Sequence, residues 1–306
     1  MLLALAVALP FMLLIVGIVW HFAATERDNR REAILFSSRT LMNAVDAILS
    51  KQVAVAQMLA TSPALESDDF AAFRLEAQRA APGLSGGWIV VSDQNGQQLV
   101  NLNRPVGDAL PHRSPIGMAL QRRAAETGQF QVSGVFVGTL TKSPLVAVEV
   151  PVPRKDKPPL ALTVVMNPSV FRTLFEQWNL PEGWLAGLVD RDGNFIARSR
   201  NHEQTVAKPA SESFRSAANG SRQGWNEIVS LEGGTMANAH VTSPMSGWVM
   251  GLAVEKTVFE APVRNTILVT GLAGAAATLL SLLLAIWFAR PITRPIEQIA
   301  QGTHAL

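Results

Sequence analysis

Two uncharged apolar runs, Leu2–Phe22 and Ile267–Ala289, stand near opposite ends of this 306-residue chain. Each is long enough to cross a bilayer as a single helix, which takes about 20 residues. A chain anchored at both runs keeps everything between them on one side of the membrane and both ends on the other. The stretch between them carries most of the charge, proline and turn signals, so it reads as a water-soluble region held by two anchors.

The first run exceeds the apolar core of a signal peptide, about 7 to 15 residues, and no Lys or Arg precedes it, which favours an uncleaved anchor. Pro10 inside it is tolerable in a membrane helix, and Trp20 and Trp287 sit near the run ends, where indoles favour the interface. Arg27, Arg30 and Arg31 follow the first run and Arg290 and Arg294 the second, so basic residues do not decide orientation. Long loops translocate largely regardless of charge, so residues 25–265 are expected outside and both termini in the cytoplasm. The absence of cysteine suits an oxidising compartment, and a net charge of +2 with no basic cluster gives no reason to expect a nucleic-acid partner.

The intervening region, about 240 residues, fits one large or two ordinary domains, and an internal repeat favours two. Gly87-Trp88 leads to Asp93-Gln-Asn-Gly96, and Gly183-Trp184 leads to Asp190-Arg-Asp-Gly193, each between apolar or β-branched residues. Each copy predicts strand, tight two-residue turn, strand, because Asn-Gly and Asp-Gly supply positive φ angles. The same order follows both copies. A helix near 116–126 precedes strands near 129–137 and 145–152. A helix near 212–218 precedes strands near 224–231, 235–242 and 247–254. The fold class is therefore α+β with two antiparallel sheets.

A helix is predicted over residues 26–60, with Ile34, Leu41, Val45, Ile48, Val55 and Leu59 at a/d spacing, interrupted by Ser38 and Gln52. Leu35, Met42 and Leu49 widen the stripe, which serves packing against the chain's own sheets, dimerisation, or both on different faces. The tryptophans at the two strand starts, Trp88 and Trp184, are expected in the cores, as are Trp225 and Trp248.

In this order of elements the chain resembles the double Cache sensor modules found outside the membrane in bacterial sensor histidine kinases and chemoreceptors. The resemblance implies transmembrane helix 1 (residues 1–24), a long extracytoplasmic helix (25–80) and two tandem PAS-like Cache units, membrane-distal (81–170) and membrane-proximal (171–262). A second transmembrane helix (266–289) would follow. Beyond it, Arg290-Pro-Ile-Thr-Arg294-Pro295-Ile-Glu-Gln-Ile299 resembles the opening of a HAMP signal-relay helix, of which about the first third would lie before Leu306. The implied function is the input half of a two-component receptor, with chemoreceptor or cyclase input modules, a membrane-anchored periplasmic enzyme, or a regulatory partner of another receptor as alternatives.

Catalytic signatures are missing. There is no Gly-x-Ser-x-Gly elbow or His-Glu-x-x-His pair, the five histidines are scattered, and the two Asp-x-x-Gly motifs lack the other ligands of a calcium loop. No enzyme, metal or cofactor is expected. The resemblance points to a small-molecule site in the distal unit. Arg104, His112 and Arg113, in the polar connection 101–114, and Ser133 on the next strand are the candidate ligand contacts, and a carboxylate is one ligand class they would suit. The absence of tyrosine departs from the family's common amino-acid-binding pattern. The expected partners are this ligand, the lipid bilayer and a second copy of the chain. Gly271, Gly274 and Ala275 give the second apolar run a small-residue face suited to helix contact.

Overall fold

The computed structural model describes residues 2–302. The chain divides into two compact units, one of residues 33–256 and one formed by the two chain ends.

The long helix α1 (Leu2–Ala60) is followed by α2 (Pro63–Glu66) and α3 (Phe70–Ala80). In its second half the buried residues are Ile34, Ser38, Leu41, Met42, Val45, Leu49, Gln52, Val53, Ala56 and Leu59. The two polar residues that interrupt the sequence pattern are therefore inside. Ser38 Oγ donates to the carbonyl of Met250 (3.3 Å), and the Gln52 amide donates to that of Leu84 (3.2 Å). The face that reads as a helix seam is filled by the chain's own sheets, while Phe36 and Met58 stay exposed.

The first sheet comprises β1 (Trp88–Ser92), β2 (Gln98–Asn101), β3 (Gln131–Val132), β4 (Phe136–Val137), β5 (Pro144–Val152) and β6 (Leu160–Met166), with α4 (Pro115–Thr127) between β2 and β3. Its order is β2-β1-β6-β5-β3, with β4 also on β5. After α5 (Ser169–Gln177) the second sheet repeats the plan with β7 (Trp184–Val189), β8 (Phe195–Arg198), β9 (Gln223–Val229), β10 (Thr235–Thr242) and β11 (Val249–Glu255), in the order β8-β7-β11-β10-β9. Helices α6 (His202–Thr205) and α7 (Glu212–Gly220) lie between β8 and β9. All pairings are antiparallel.

The repeated hairpins are not two-residue turns. In each, only the glycine has positive φ (+84° at Gly96 and at Gly193), and its N–H donates to the carbonyl of the aspartate three residues before it. The aspartate carboxylate accepts from the chain two and four residues on: Asn95 and Gln97 N–H (both 2.9 Å), and Asp192 and Asn194 N–H (3.0 and 2.9 Å). This side-chain brace holds the intervening residues right-handed and leaves the left-handed position to Gly alone. The register shifts beside each turn, at Val91/Ser92 and Leu188/Val189, are the matching bulges.

In the unit formed by the chain ends, α8 (Lys256–Gly302) contains one stretch, Lys256–Ser281, long and apolar enough to cross a membrane, with mean hydropathy 1.4; it is the one such stretch among the described residues. The first apolar run is helical within α1, but the side chains of 2–12 lie outside the described ones. A Cβ on Gly274 would sit 3.3 Å from Ile15 Cγ2, whereas one on Gly271 would meet nothing within 4 Å, so the close approach is at Gly274. Backbone of the segment resembling HAMP is helical to Gly302; its side chains and residues 303–306 lie outside the described ones.

Candidate functional site

Alternation along the strands of the first sheet sends Trp88 and Val90 of β1, Leu145 and Ala147 of β5, and Thr163 and Val165 of β6 to one face. That face is the floor of a cavity of about 80 Å³. Its walls come from α4 (Ile116, Leu120), β2 (Gln98, Asn101), the β3–β4 segment (Ser133, Phe136) and the loop Gly138–Thr141. At about 10 to 15 Å³ for each water-sized group, the space holds roughly five to eight of them.

Helix α4 positions the charged end of this site. Ser114 caps it by accepting from Gly117 N–H (3.1 Å), Pro115 supplies a first turn that needs no N–H, and Gly128 ends it at φ +64°. Arg113, just before the cap, is pinned by its own N–H to the Gly96 carbonyl (2.9 Å) and sends its side chain inward past Gly117. A Cβ on Gly117 would lie 3.1 Å from Arg113 Nε, so the helix needs no side chain there.

The Arg113 guanidinium meets Glu149 as a two-pronged ion pair, Nη1 to Oε1 at 2.7 Å and Nη2 to Oε2 at 2.5 Å. Both side chains are buried, Glu149 completely. Nη1 also donates to Ser92 Oγ (3.1 Å) and Gln121 Oε1 (3.2 Å), and Thr163 Oγ1 donates to Glu149 Oε2 (2.8 Å). The surrounding hydrogen bonds satisfy a charge pair that burial alone would penalise. Arg113 is the one charged residue of the cavity lining, and Glu149 neutralises it.

Of the four residues singled out in the sequence, two line this cavity: Arg113 and Ser133. The Ser133 hydroxyl is committed to backbone, accepting from Ala147 N–H (2.8 Å) and donating to the Gly134 carbonyl (2.7 Å). Arg104 is outside the lining, in a turn where its side chain faces Asp108 (3.6 Å) and its carbonyl accepts from Arg74. His112 bridges to Gln97 through backbone, and its side chain is exposed.

Sequence reading missed most of the wall. Trp88, expected in the core, lines the cavity, whereas Trp248 is fully buried, edge-on to Phe171 with centroids 5.4 Å apart. Thr141 Oγ1, in the cavity wall, is buried and has no hydrogen-bond partner. An unpaired buried hydroxyl costs free energy that a ligand atom would recover. The only signal for it in the sequence is a Gly-Thr-Leu-Thr run that reads as an ordinary loop.

The cavity is tied to the second sheet through the β3–β4 segment. Trp248 Nε1 donates to the Ser133 carbonyl (3.0 Å), and Val135 N–H donates to Asp190 Oδ2 (3.0 Å). Among the described residues no group of three or more His, Asp or Glu could hold a metal ion.

Comparison with solved structures fixes the fold. The ligand-binding domain of Mlp24 with asparagine aligns over 79% of this chain and 99% of its own, with a TM-score of 0.58 at 17% identity. The chain has the double Cache fold. The ligand-binding domain of the Pseudomonas fluorescens chemoreceptor CtaA, in complex with L-isoleucine, covers 78% of this chain and 97% of its own (TM-score 0.58, 14% identity). The extracellular domain of the putative histidine kinase rpHK1S-Z16 covers 79% and 98% (TM-score 0.56, 19% identity). No protein-family model matches the chain, and no curated relative does.

Proposed function

We propose that residues 25–265 form the extracytoplasmic sensor of a bacterial inner-membrane receptor, with a small-molecule site in the first, membrane-distal sheet unit. The observation that carries this reading is the cavity floored by Trp88, Ala147 and Val165, with the unpartnered Thr141 hydroxyl in its wall. Because Glu149 already neutralises Arg113, a free carboxylate would have to compete with a buried two-pronged partner. The site therefore favours a ligand with no net charge, either neutral or zwitterionic, and of small amino-acid size. That Mlp24 is seen with asparagine and CtaA with L-isoleucine is in keeping with such a ligand.

The relay runs through the contacts on the cavity wall. Ligand binding favours one arrangement of the β3–β4 segment, which Trp248 and Asp190 of the second unit hold by its backbone. Strand β11, which begins one residue after Trp248, runs directly into α8, so a shift there reaches the second membrane helix without passing through a loop. Two membrane helices, a homodimer, a HAMP segment from residue 290 and a histidine-kinase output complete the reading, with a chemoreceptor output as the alternative that CtaA favours.

The test is thermal unfolding of the whole chain in nanodiscs against L-amino acids, short carboxylates, amines and purines. A ligand at one hundred times its dissociation constant should stabilise by about 2.7 kcal/mol, or about 5 to 10 °C in a domain of this size. No response from any class would argue against direct sensing.

A further inference from the structure

The second sheet has a cavity of its own, about 40 Å³, between β8, β10 and α7. Phe195, Phe214 and Leu231 form its apolar side, and Arg198 and Asn238 its polar side. Arg198 is fully buried and spends its charge on Glu232, with Nη1 to Oε1 and Nη2 to Oε2 both at 2.7 Å. Its guanidinium carbon lies 5.6 Å from the centroid of the Phe195 ring.

Asn238, by contrast, is 1% exposed, and neither its Oδ1 nor its Nδ2 has a hydrogen-bond partner. Arg198 Nε is likewise unpartnered. Buried amides are nearly always paired, because desolvating both ends without compensation opposes folding. An apolar residue would have served a plain core. Gly251 brings the Phe214 ring close to the amide: a Cβ there would sit 2.5 Å from Phe214 Cε2 and 3.3 Å from Asn238 Oδ1, so the ring and the carboxamide share one wall.

We propose that the second unit holds an additional small-molecule site, in which the Asn238 carboxamide reads an uncharged ligand offering one acceptor and one donor. The class is a short-chain primary amide, its carbonyl on Nδ2, its N–H on Oδ1 and its alkyl end against Phe195 and Phe214. Size sets the limit: at about 10 to 15 Å³ for each water-sized group, the cavity takes roughly three or four heavy atoms. Acids are disfavoured because Glu232 already holds the cation. This site is separate from the cavity of the first sheet and does not depend on that one binding anything.

Saturation-transfer difference NMR with acetamide, on the whole chain in nanodiscs, tests it, with sodium acetate as the charged control. Acetamide methyl protons are expected to receive saturation in the native chain and in Ala147→Leu, which fills only the first cavity. Acetate protons are expected to receive none. With the first cavity filled by Ala147→Leu, the signal is expected to vanish on adding Asn238→Leu. Leu231→Trp, at the exposed rim of the cavity, gives the same loss by filling space, and serves where Asn238→Leu does not fold. Acetamide saturation that survives in a folded variant of either kind, equal saturation of acetate, or none for the native chain overturns the proposal, the last meaning that the cavity takes only water.

Discussion

Trp248 Nε1 donates to the carbonyl oxygen of Ser133 at 3.0 Å, so a fully buried side chain just before β11 holds the backbone of the β3–β4 segment where that backbone lines the cavity. Trp248→Phe removes the donor while keeping a ring against Phe171. It should cost about 1 to 3 kcal/mol, the price of a buried carbonyl left unpaired. In a reporter strain carrying the receptor, the response should fall further than ligand affinity does. An unchanged response at unchanged affinity would remove this contact from the relay.

The ion pair of Arg113 and Glu149 should behave as a structural unit. Arg113→Ala strands a fully buried carboxylate and should destabilise by about 3 to 5 kcal/mol, lowering the midpoint by about 6 to 20 °C. Replacing both partners with apolar residues, as in Arg113→Met with Glu149→Leu, should recover much of that loss. A double variant as unstable as the two single losses combined would show that the surrounding hydrogen bonds need the charges.

Acid should weaken the fold in two windows. Burial holds His202 below its ordinary 6.5, so its contribution is intact above that value and declines as pH falls below it, where the unfolded chain takes up the proton first. The hydrogen bonds from Arg198 hold Glu232 at about 2, against an ordinary 4.5, so its contribution is present above 4.5 and disappears as pH falls toward 2. Urea titrations at several pH values should show both slopes, with Glu232→Gln flattening the lower one and His202→Gln reducing the upper, which His240, also held low by burial, shares. An unaltered lower slope in Glu232→Gln would mean another carboxylate governs it.

Two glycines of the same apolar helix should differ. Gly274→Leu drives a side chain into Ile15, whereas Gly271→Leu meets open space, so only the first should alter signalling. Equal effects in the reporter strain would place the helix contact elsewhere.

Much of the fold could be read in the chain because the repeat carries it. The aspartates at 93 and 190 and the glycines three residues on fixed both hairpins, and α4 and α7 fall within a residue or two of their sequence positions. Strand β6 carries no such mark: Leu160–Met166 is buried on both faces, with Thr163 its one polar residue, which erases the alternation that marks a half-exposed strand. Ser38 and Gln52 looked like breaks in an apolar seam and are instead buried donors, because their carbonyl partners lie about 210 and 30 residues away, beyond any local pattern.

The site was less legible for the same reason. A cluster of Arg104, His112 and Arg113 suggests an anion trap, but backbone pairing of residues 111–113 along the first hairpin turns His112 outward and Arg113 inward. Glu149, which neutralises Arg113, stands 36 residues away on a strand whose apolar run conceals it. Charge at a site is set by such distant partners, and a spacing argument counts only the near ones.

In the proposed function, the first-sheet cavity takes a small ligand of no net charge. Titration calorimetry of the native chain and of Ala147→Leu, each with the L-amino acid that most raises the unfolding midpoint, tests it most directly. A saturable heat is expected in the native chain and none in the folded Ala147→Leu variant. The same heat in both, or none in the native chain with any uncharged or zwitterionic ligand, would contradict it.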